Sequence, residues 1–134
     1  MSKANLVSVR MITADLKRLV SFYEQATGIT GRWATDDFAE IVSGSFTLAI
    51  GSTRTLAFFG EGIAAPATNK SMIIEFLVED VDERYEMIKG LTREIVQKPT
   101  TMPWGNRSLL FRDPDGNLIN FFTPVSEDAK RKFA

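Results

Sequence analysis

The chain contains no histidine and no cysteine among its 134 residues. Their absence removes the most common general base, the thiol nucleophile and the usual ligands of transition metals. It also excludes disulfides, so the domain must be held by an ordinary apolar core, for which a hydrophobic content of 44% is sufficient. We therefore expect no cofactor, no transition metal and a reducing, cytoplasmic environment.

The chain also lacks a concentration of basic charge. Lysine and arginine total 16 and are scattered along the chain, and aspartate and glutamate total 17. No apolar run approaches the roughly 18 residues needed to cross a bilayer, and the N-terminal residues begin a strand-like run with no apolar leader region. A nucleic-acid partner and a membrane partner are both disfavoured.

The first half of the chain has the pattern of one helix and several strands. Leu6–Ile12 is typical of a short strand, and Asp15 offers a capping oxygen to a helix that ends near Gly28. The apolar positions of that helix have helical spacing: Leu16, Leu19, Val20, Tyr23 and Ala26. Further strands are predicted at Thr30–Trp33, Phe38–Val42 and Phe46–Ile50. The predicted order is βαβββ.

After a linker-like segment, Gly60–Lys70, the same order begins again. Met72–Val78 is predicted to be a strand, and Asp80 to cap a helix that Gly90 closes. The remaining strand-like runs are Arg93–Gln97, Ser108–Arg112 and Leu118–Phe122. The tail, Ser126–Ala134, is interpreted as a frayed or short helical end. The repeated order indicates an internal duplication, in which neither half could bury its sheet alone.

The segment Asp113-Pro114-Asp115-Gly116-Asn117 is predicted to form a hairpin turn between the last two strands. Proline fixes φ, aspartate caps its own turn and glycine accepts a positive φ. Together with Val9–Gly28 and Pro103-Trp104-Gly105, the segment from Phe111 to Asn120 resembles the vicinal oxygen chelate superfamily. That superfamily includes glyoxalase I, extradiol dioxygenases, fosfomycin-resistance transferases and bleomycin-resistance proteins. The resemblance extends over nearly the whole chain.

The resemblance implies an α+β fold in which paired βαβββ modules form two curved mixed sheets around a cleft. The modules are expected at about residues 5–60 and 71–124 of a single domain, 1–134, with their first strands side by side. Metal enzymes of the superfamily have ligands at four inward positions, which correspond here to Ser8, Ala49, Ile73 and Asn120. None is a good ligand, since alanine and isoleucine cannot coordinate and a hydroxyl and an amide are weak donors. The resemblance therefore implies the fold without the metal.

Strand alternation separates an apolar face from a mixed face in each half. The apolar set should lie under the helices: Val7, Val9, Met11, Leu48, Ile50, Ile74, Phe76, Val78, Leu109, Phe111, Ile119 and Phe121. The mixed set should line the cleft and includes Ser8, Arg10, Glu75, Ser108, Asn120 and Phe122. Glu75 is the only acid assigned to this face.

Arg10 and Glu75 occupy equivalent positions in the duplication and are expected to meet. Their pairing could be a structural ion pair, a polar anchor for a ligand, or a site in which Glu75 acts as a base with a pKa raised by burial. Asn120 either satisfies the neighbouring strands or faces a polar ligand.

Aromatic side chains are expected to border the cleft: Trp33, Phe38, Phe58, Phe59 and Trp104, with Met102 beside them. Trp104 is a candidate for ligand stacking, whereas Phe58 and Phe59 suit an interface between halves or between subunits of a homodimer. Asn106 and Arg107 follow Trp104, where Asn106 is a candidate ligand contact and Arg107 could simply cover apolar surface.

These features favour a metal-independent protein that binds or sequesters a small organic molecule, with Ser8, Arg10, Glu75, Trp104, Asn106, Asn120 and Phe122 as the ligand-binding set. The alternative is a lyase, isomerase or detoxification enzyme of the same fold. It would use Glu75 or Arg10 without a metal, or have a non-standard metal site with ligands from the partner subunit. A third hypothesis is a non-catalytic dimeric module that serves another protein.

Overall fold

The computed structural model describes residues 2–60 and 62–134. The chain divides into two compact units, Met1–Thr68 and Asn69–Ala134. Each unit contains one four-stranded mixed sheet and its own helices. The α+β class predicted from the sequence is therefore confirmed.

The first unit has the predicted βαβββ order. Its elements are β1 (Ser8–Thr13), α1 (Leu16–Thr27), β2 (Arg32–Thr35), β3 (Phe38–Ser43) and β4 (Phe46–Ser52), followed by a 3₁₀ helix, Thr53–Phe58. The strands lie in the order β1-β4-β3-β2, with β1 parallel to β4 and the other pairs antiparallel.

The second unit repeats this topology. Its elements are β5 (Ile73–Leu77), α2 (Val81–Leu91), β6 (Ile95–Thr101), β7 (Asn106–Arg112), β8 (Leu118–Pro124) and α3 (Glu127–Lys132). The strand order is β5-β8-β7-β6, again with the first and last strands parallel. The predicted duplication of element order is confirmed.

Both long helices begin at the predicted aspartates. The Asp15 carboxylate accepts the Arg18 backbone N–H at 3.1 Å, and the Asp80 carboxylate accepts two backbone N–H groups in the first turn of α2. Gly28 ends α1 with φ of 78°, as expected for a left-handed cap. Gly90 does not close α2, because the helix continues through it to Leu91 and ends at Thr92 in extended conformation.

Several strand boundaries differ from the predictions. The first strand begins at Ser8, and Leu6 and Val7 are exposed, so Val7 is not part of the core. The predicted strand Arg93–Gln97 is instead Ile95–Thr101 and contains Pro99. This strand lies at the sheet edge, where the missing N–H of proline is tolerated, and its pairing with β7 is irregular.

The apolar faces form the core of each unit, as the alternation predicted. Residues of this set that are buried include Leu48, Ile50, Leu109, Phe111, Ile119 and Phe121. In the second unit, Phe121 makes edge contacts with Phe111 and Phe76, at centroid distances of 5.0 Å and 5.5 Å. Each such side chain contributes on the order of 2 kcal/mol by burial.

The predicted hairpin turn is present between β7 and β8. The Asp113 carboxylate accepts the backbone N–H groups of Asp115 and Asn117, both at 2.9 Å, and the Asn117 side-chain amide at 2.7 Å. Gly116 has φ of 84°. The Asn69 amide donates to Asn117 Oδ1 at 3.2 Å, which joins the start of the unit to this turn. Asp113 is thus a turn former, as predicted.

Candidate functional site

The second sheet has a face on which polar and apolar side chains are mixed. Glu75 of β5 lies opposite Asn120 of β8, and Asn120 lies opposite Leu110 of β7. We call this the second mixed face; on β5, β7 and β8, strand alternation assigns to it Ile73, Glu75, Leu77, Asn106, Ser108, Leu110, Arg112, Leu118, Asn120 and Phe122. The predicted site residues Glu75, Asn106, Asn120 and Phe122 therefore share one face.

At the centre of this face, the carboxylate of Glu75 is joined to the amide of Asn120. Asn120 Nδ2 donates to Glu75 Oε2 at 2.8 Å. Asn120 is only 8% exposed, and its Oδ1 is buried with no hydrogen-bond donor among the described residues. The neighbouring strand thus satisfies one end of the amide and leaves the other end unsatisfied.

Glu75 itself is exposed and has apolar neighbours. Ile73 and Leu77 stand two residues before and after it on the same face and are 51% and 52% exposed. Within residues 69–134, no lysine or arginine lies within ion-pair distance of Glu75. Arg112 shares the face, but its guanidinium is held by Glu94 at 3.6 Å and by the Gly116 carbonyl at 3.0 Å.

The helix α3 covers one end of the second mixed face. Phe133, which directly follows α3, packs against Phe122 at a centroid distance of 5.1 Å, and Phe122 is buried. A shallow depression of about 430 Å³ lies at this end of the unit, and its lining comprises Leu77, Val78, Thr123, Pro124 and Phe133, together with the charged Glu79 and Lys130. The sequence analysis missed Phe133, although Ala129 and Phe133 have the four-residue spacing of an apolar helix stripe.

Trp104 belongs to the turn between β6 and β7 rather than to a strand. Its side chain is 67% exposed. The next residue, Gly105, has φ of 96°, and its carbonyl accepts the N–H groups of Val125 and Ser126 at 2.8 Å and 3.1 Å. This turn is therefore fixed to the start of α3. Asn106, at the beginning of β7, also has a buried Oδ1 without a hydrogen-bond partner among the described residues.

The first sheet has a corresponding mixed face with different chemistry. Arg10 lies opposite Ala49, and its guanidinium stacks over Phe38 at 4.8 Å and over Phe59 at 5.6 Å from the ring centroids. Ser8 and Thr47 precede this pair on the same face. Within the first unit, Arg10 is thus held by two aromatic rings, and its predicted pairing with Glu75 stays a prediction.

Glu40 is an acid that the sequence analysis did not place on a mixed face. It lies opposite Ala49, in the same row as Arg10, and Arg32 of β2 lies opposite it on the other side. The expectation that Glu75 is the only acid on the mixed faces is therefore wrong. Strand alternation through Phe38, Glu40 and Val42 was the signal that could have found it.

Arg107 does more than cover apolar surface. Its guanidinium forms a bidentate pair with Asp82 in the first turn of α2, with Nε to Oδ2 at 2.9 Å and Nη2 to Oδ1 at 3.1 Å. This hydrogen bond from Arg107 lowers the pKa of Asp82 below its ordinary value. The acidic first turn of α2 is therefore tied to β7 through Asp82 and Arg107.

The positions that hold metal ligands in the resembled enzymes carry a poor donor set here. Ala49 is buried and has no donor atom, Ile73 is aliphatic, and the amide of Asn120 is engaged with Glu75. Ser8 offers only a neutral hydroxyl. In the described parts of the chain, no group of three or more acidic residues could hold a metal ion. These residues do not fit a catalytic divalent metal.

Two βαβββ units, each with a parallel pair joining its first and last strands, define the class of protein to which this chain belongs. Residues 5–121 match the model of the glyoxalase/bleomycin resistance protein/dioxygenase superfamily. The chain is a member of that superfamily, as its sequence resemblance implied.

Relatives and solved structures agree with this assignment. The uncharacterised protein YraH of Bacillus subtilis is 30% identical over 124 residues, which cover 87% of this chain and 96% of that protein. A family enzyme from Burkholderia phytofirmans has a TM-score of 0.81 at 15% identity, covering 91% of this chain and 100% of its own. A family protein from Nocardioides has a TM-score of 0.75 at 20% identity, covering 95% and 87%. At these identities the two structures show the fold alone.

Among residues 2–60 and 62–134, no helix combines the length and apolar character needed to cross a bilayer.

Proposed function

We propose that this protein binds a small organic molecule without a metal, and that the second mixed face around Glu75 and Asn120 is the binding surface. The observation that carries the proposal is the amide oxygen of Asn120, buried without a hydrogen-bond donor. Leaving such an acceptor unsatisfied costs about 1–3 kcal/mol. A ligand that supplies the donor would compensate this cost.

The strand around Asn120 supports this proposal. Its neighbours on the same face of β8 are apolar, namely Leu118 and Phe122, so an aliphatic side chain at position 120 would suit the fold equally well. A polar residue that costs stability at such a position is typical of a functional site. The exposed Ile73 and Leu77 beside Glu75 offer apolar surface for the rest of a ligand.

Binding is favoured over catalysis because the second mixed face carries an incomplete catalytic set. Glu75 is the only acid among its residues. Ser108 is buried on β7, two strands away from Glu75, and has no hydrogen bond to it. A lone carboxylate without a nucleophile or a second acid suits recognition better than proton transfer in both directions.

The test combines a stability measurement with a ligand screen. Asn120→Leu should leave the free energy of unfolding unchanged or raise it, since it removes an unsatisfied acceptor, and should abolish the binding of compounds found by ligand-detected NMR with the unmodified protein. Asn117→Leu is the matched control: this amide is also buried but fully bonded, so its loss should cost about 1–3 kcal/mol.

Two outcomes would contradict the proposal. One is that Asn120→Leu destabilises the protein as much as Asn117→Leu does, which would give Asn120 a purely structural role. The other is that compounds found in the screen bind the Asn120→Leu variant as well as they bind the unmodified protein.

We further propose that the working form is a homodimer in the cytoplasm. Phe58 and Phe59 are 89% and 62% exposed, which leaves adjacent aromatic rings in solvent at the end of the 3₁₀ helix. Light scattering should give twice the 15.0 kDa mass of the chain at micromolar concentration, and Phe58→Ser should shift the mass towards the monomer. A monomeric mass for the unmodified protein would contradict this expectation.

A further inference from the structure

We propose that the ligand is an amphipathic cation: a protonated amine or a guanidinium whose N–H groups bind Glu75, attached to an aliphatic or aromatic body that packs over Leu77 towards Phe133. This inference rests on the proposed function and names its ligand class. It is drawn from the donors, the charges and the apolar surface of the second mixed face.

The Glu75–Asn120 pair contains more acceptors than donors. The carboxylate has two oxygens, of which only Oε2 is engaged, and Asn120 adds Oδ1, which has no donor. One of the two N–H groups of the Asn120 amide donates to Glu75. The pair therefore needs N–H or O–H groups from outside, and a carbonyl or carboxylate would leave it unsatisfied.

The charge of the pair points to a cation rather than to a neutral donor. Within residues 69–134, Glu75 has no arginine or lysine at ion-pair distance, and the guanidinium of Arg112 on the same face is held by Glu94 and Gly116. Asn120 holds one carboxylate oxygen in place and so acts as a positioning residue. The free Oε1 is then available for a charge-assisted hydrogen bond, which is stronger than a neutral one.

The apolar part of the ligand follows from the residues beside Glu75. Leu77 lies two residues further along the same face, is 52% exposed, and also lines the depression that reaches Phe133. Along β5, the distance from Glu75 to Leu77 is roughly 6.6 Å, since a strand advances by that length over two residues. A short aliphatic chain that ends in one aromatic ring can extend over this distance. The carboxylate would bind the head and the leucine the body.

The experiment is a titration with four compounds that share a phenylbutyl body and differ only in the head: 4-phenylbutylamine, 4-phenylbutylguanidine, 4-phenylbutanol and 5-phenylpentanoate. Binding is followed by amide-detected NMR, in which the side-chain amide of Asn120 reports contact directly. The two cations should bind about tenfold more tightly than the alcohol. The carboxylate should bind most weakly and leave the Asn120 signal unmoved.

Three variants separate the roles of head and body. Glu75→Gln keeps an acceptor for Asn120 Nδ2 and removes the charge, so it should reduce cation affinity to that of the alcohol. Leu77→Ala should lower the affinity of every phenylbutyl compound that binds, by a similar factor for each. The preference for the cation should stay intact. Glu83→Gln, an exposed position in α2, should change nothing and serves as the matched control.

The outcomes distinguish this inference from the proposed function. Equal binding of cation and alcohol, or cation binding that survives Glu75→Gln, would overturn the assignment of the ligand class. A screen that finds only neutral or anionic compounds at Asn120 would overturn it as well, while supporting the proposed function. If neither the four compounds nor the screen perturbs Asn120, the proposed function itself fails.

Discussion

The mixed faces of the two units have the same position in the same topology and carry different side chains. In the first sheet, one row runs from Arg10 through Ala49 to Glu40. In the second sheet, the corresponding row runs from Glu75 through Asn120 to Leu110. The first row has an arginine stacked on aromatic rings, whereas the second has a carboxylate joined to an amide.

The apolar faces, in contrast, are chemically alike. Met11 lies opposite Ile50 in the first sheet, and Phe76 lies opposite Phe121 at the corresponding place in the second. The comparison shows that the duplicated fold constrains the helix-covered face through packing and leaves the other face free to change. Chemistry specific to this protein is therefore expected on the mixed faces.

The largest predicted effect tests the equivalence of the two apolar faces. Phe121→Ala should lower the free energy of unfolding by about 3–5 kcal/mol, and Ile50→Ala by about 2–5 kcal/mol, because both side chains are almost fully buried. Urea denaturation measures both. A loss below about 1 kcal/mol at either position would show that the two apolar faces do not contribute equally to the core.

A somewhat smaller effect is expected at Gly105, which joins the β6–β7 turn to α3. A Cβ at this position would approach the Cβ of Ser126 to 2.6 Å, and φ is 96°. Gly105→Ala should therefore cost about 1–3 kcal/mol more than Gly44→Ala, which has a positive φ in the first unit but no atom within 4 Å of the added Cβ. Equal costs in thermal denaturation would show that α3 is not held against this turn.

The central residues of the two mixed faces should differ in their effect on stability. Arg10→Ala removes stacking on two rings and should cost about 0.5–1 kcal/mol. Glu75→Gln should change stability by less than about 0.5 kcal/mol, since the exposed side chain keeps its bond from Asn120. Urea denaturation measures both. A loss of unfolding free energy that is larger for Glu75→Gln than for Arg10→Ala would contradict this expectation.

The smallest effect concerns an acidic residue in each unit. The hydrogen bond from Arg107 lowers the pKa of Asp82, and hydrogen bonds from Arg54 and then Ser52 lower the pKa of Asp37. A depressed pKa in the folded state stabilises the protein above the ordinary pKa of about 4 and loses this contribution as the pH falls through the folded value.

Asp82→Asn and Asp37→Asn should therefore lower the melting temperature slightly at neutral pH and have no effect below about pH 2. Asp36→Asn, beside Asp37, is the control and should have no effect at either pH. Because both pairs are exposed, salt should reduce the difference at neutral pH. A difference in melting temperature that persists at low pH would show that the effect comes from packing and not from charge.

The sequence was a good guide to the elements whose causes are local. Asp15 and Asp80 cap the helices through neighbouring N–H groups, Asp113 and Gly116 form a turn within five residues, and alternation identifies which face of each strand is apolar. It was a poor guide where distant residues decide the outcome. Gly90 remains helical, Arg107 pairs with Asp82 across 25 positions, and Phe133 packs on Phe122.

For the candidate site, the sequence by itself determined which residue types were available and, in the second unit, on which face of each strand they lie. It disfavoured a metal because it has no histidine or cysteine, and because the family resemblance puts Ala49 and Ile73 at two of the positions that hold metal ligands in related enzymes. Only the tertiary structure decided that Asn120 donates to Glu75 and keeps a buried oxygen without a donor. The physical reason is that alternation along a strand is a local property, whereas register between β5 and β8 and the satisfaction of each polar atom depend on strands that pair 45 residues apart.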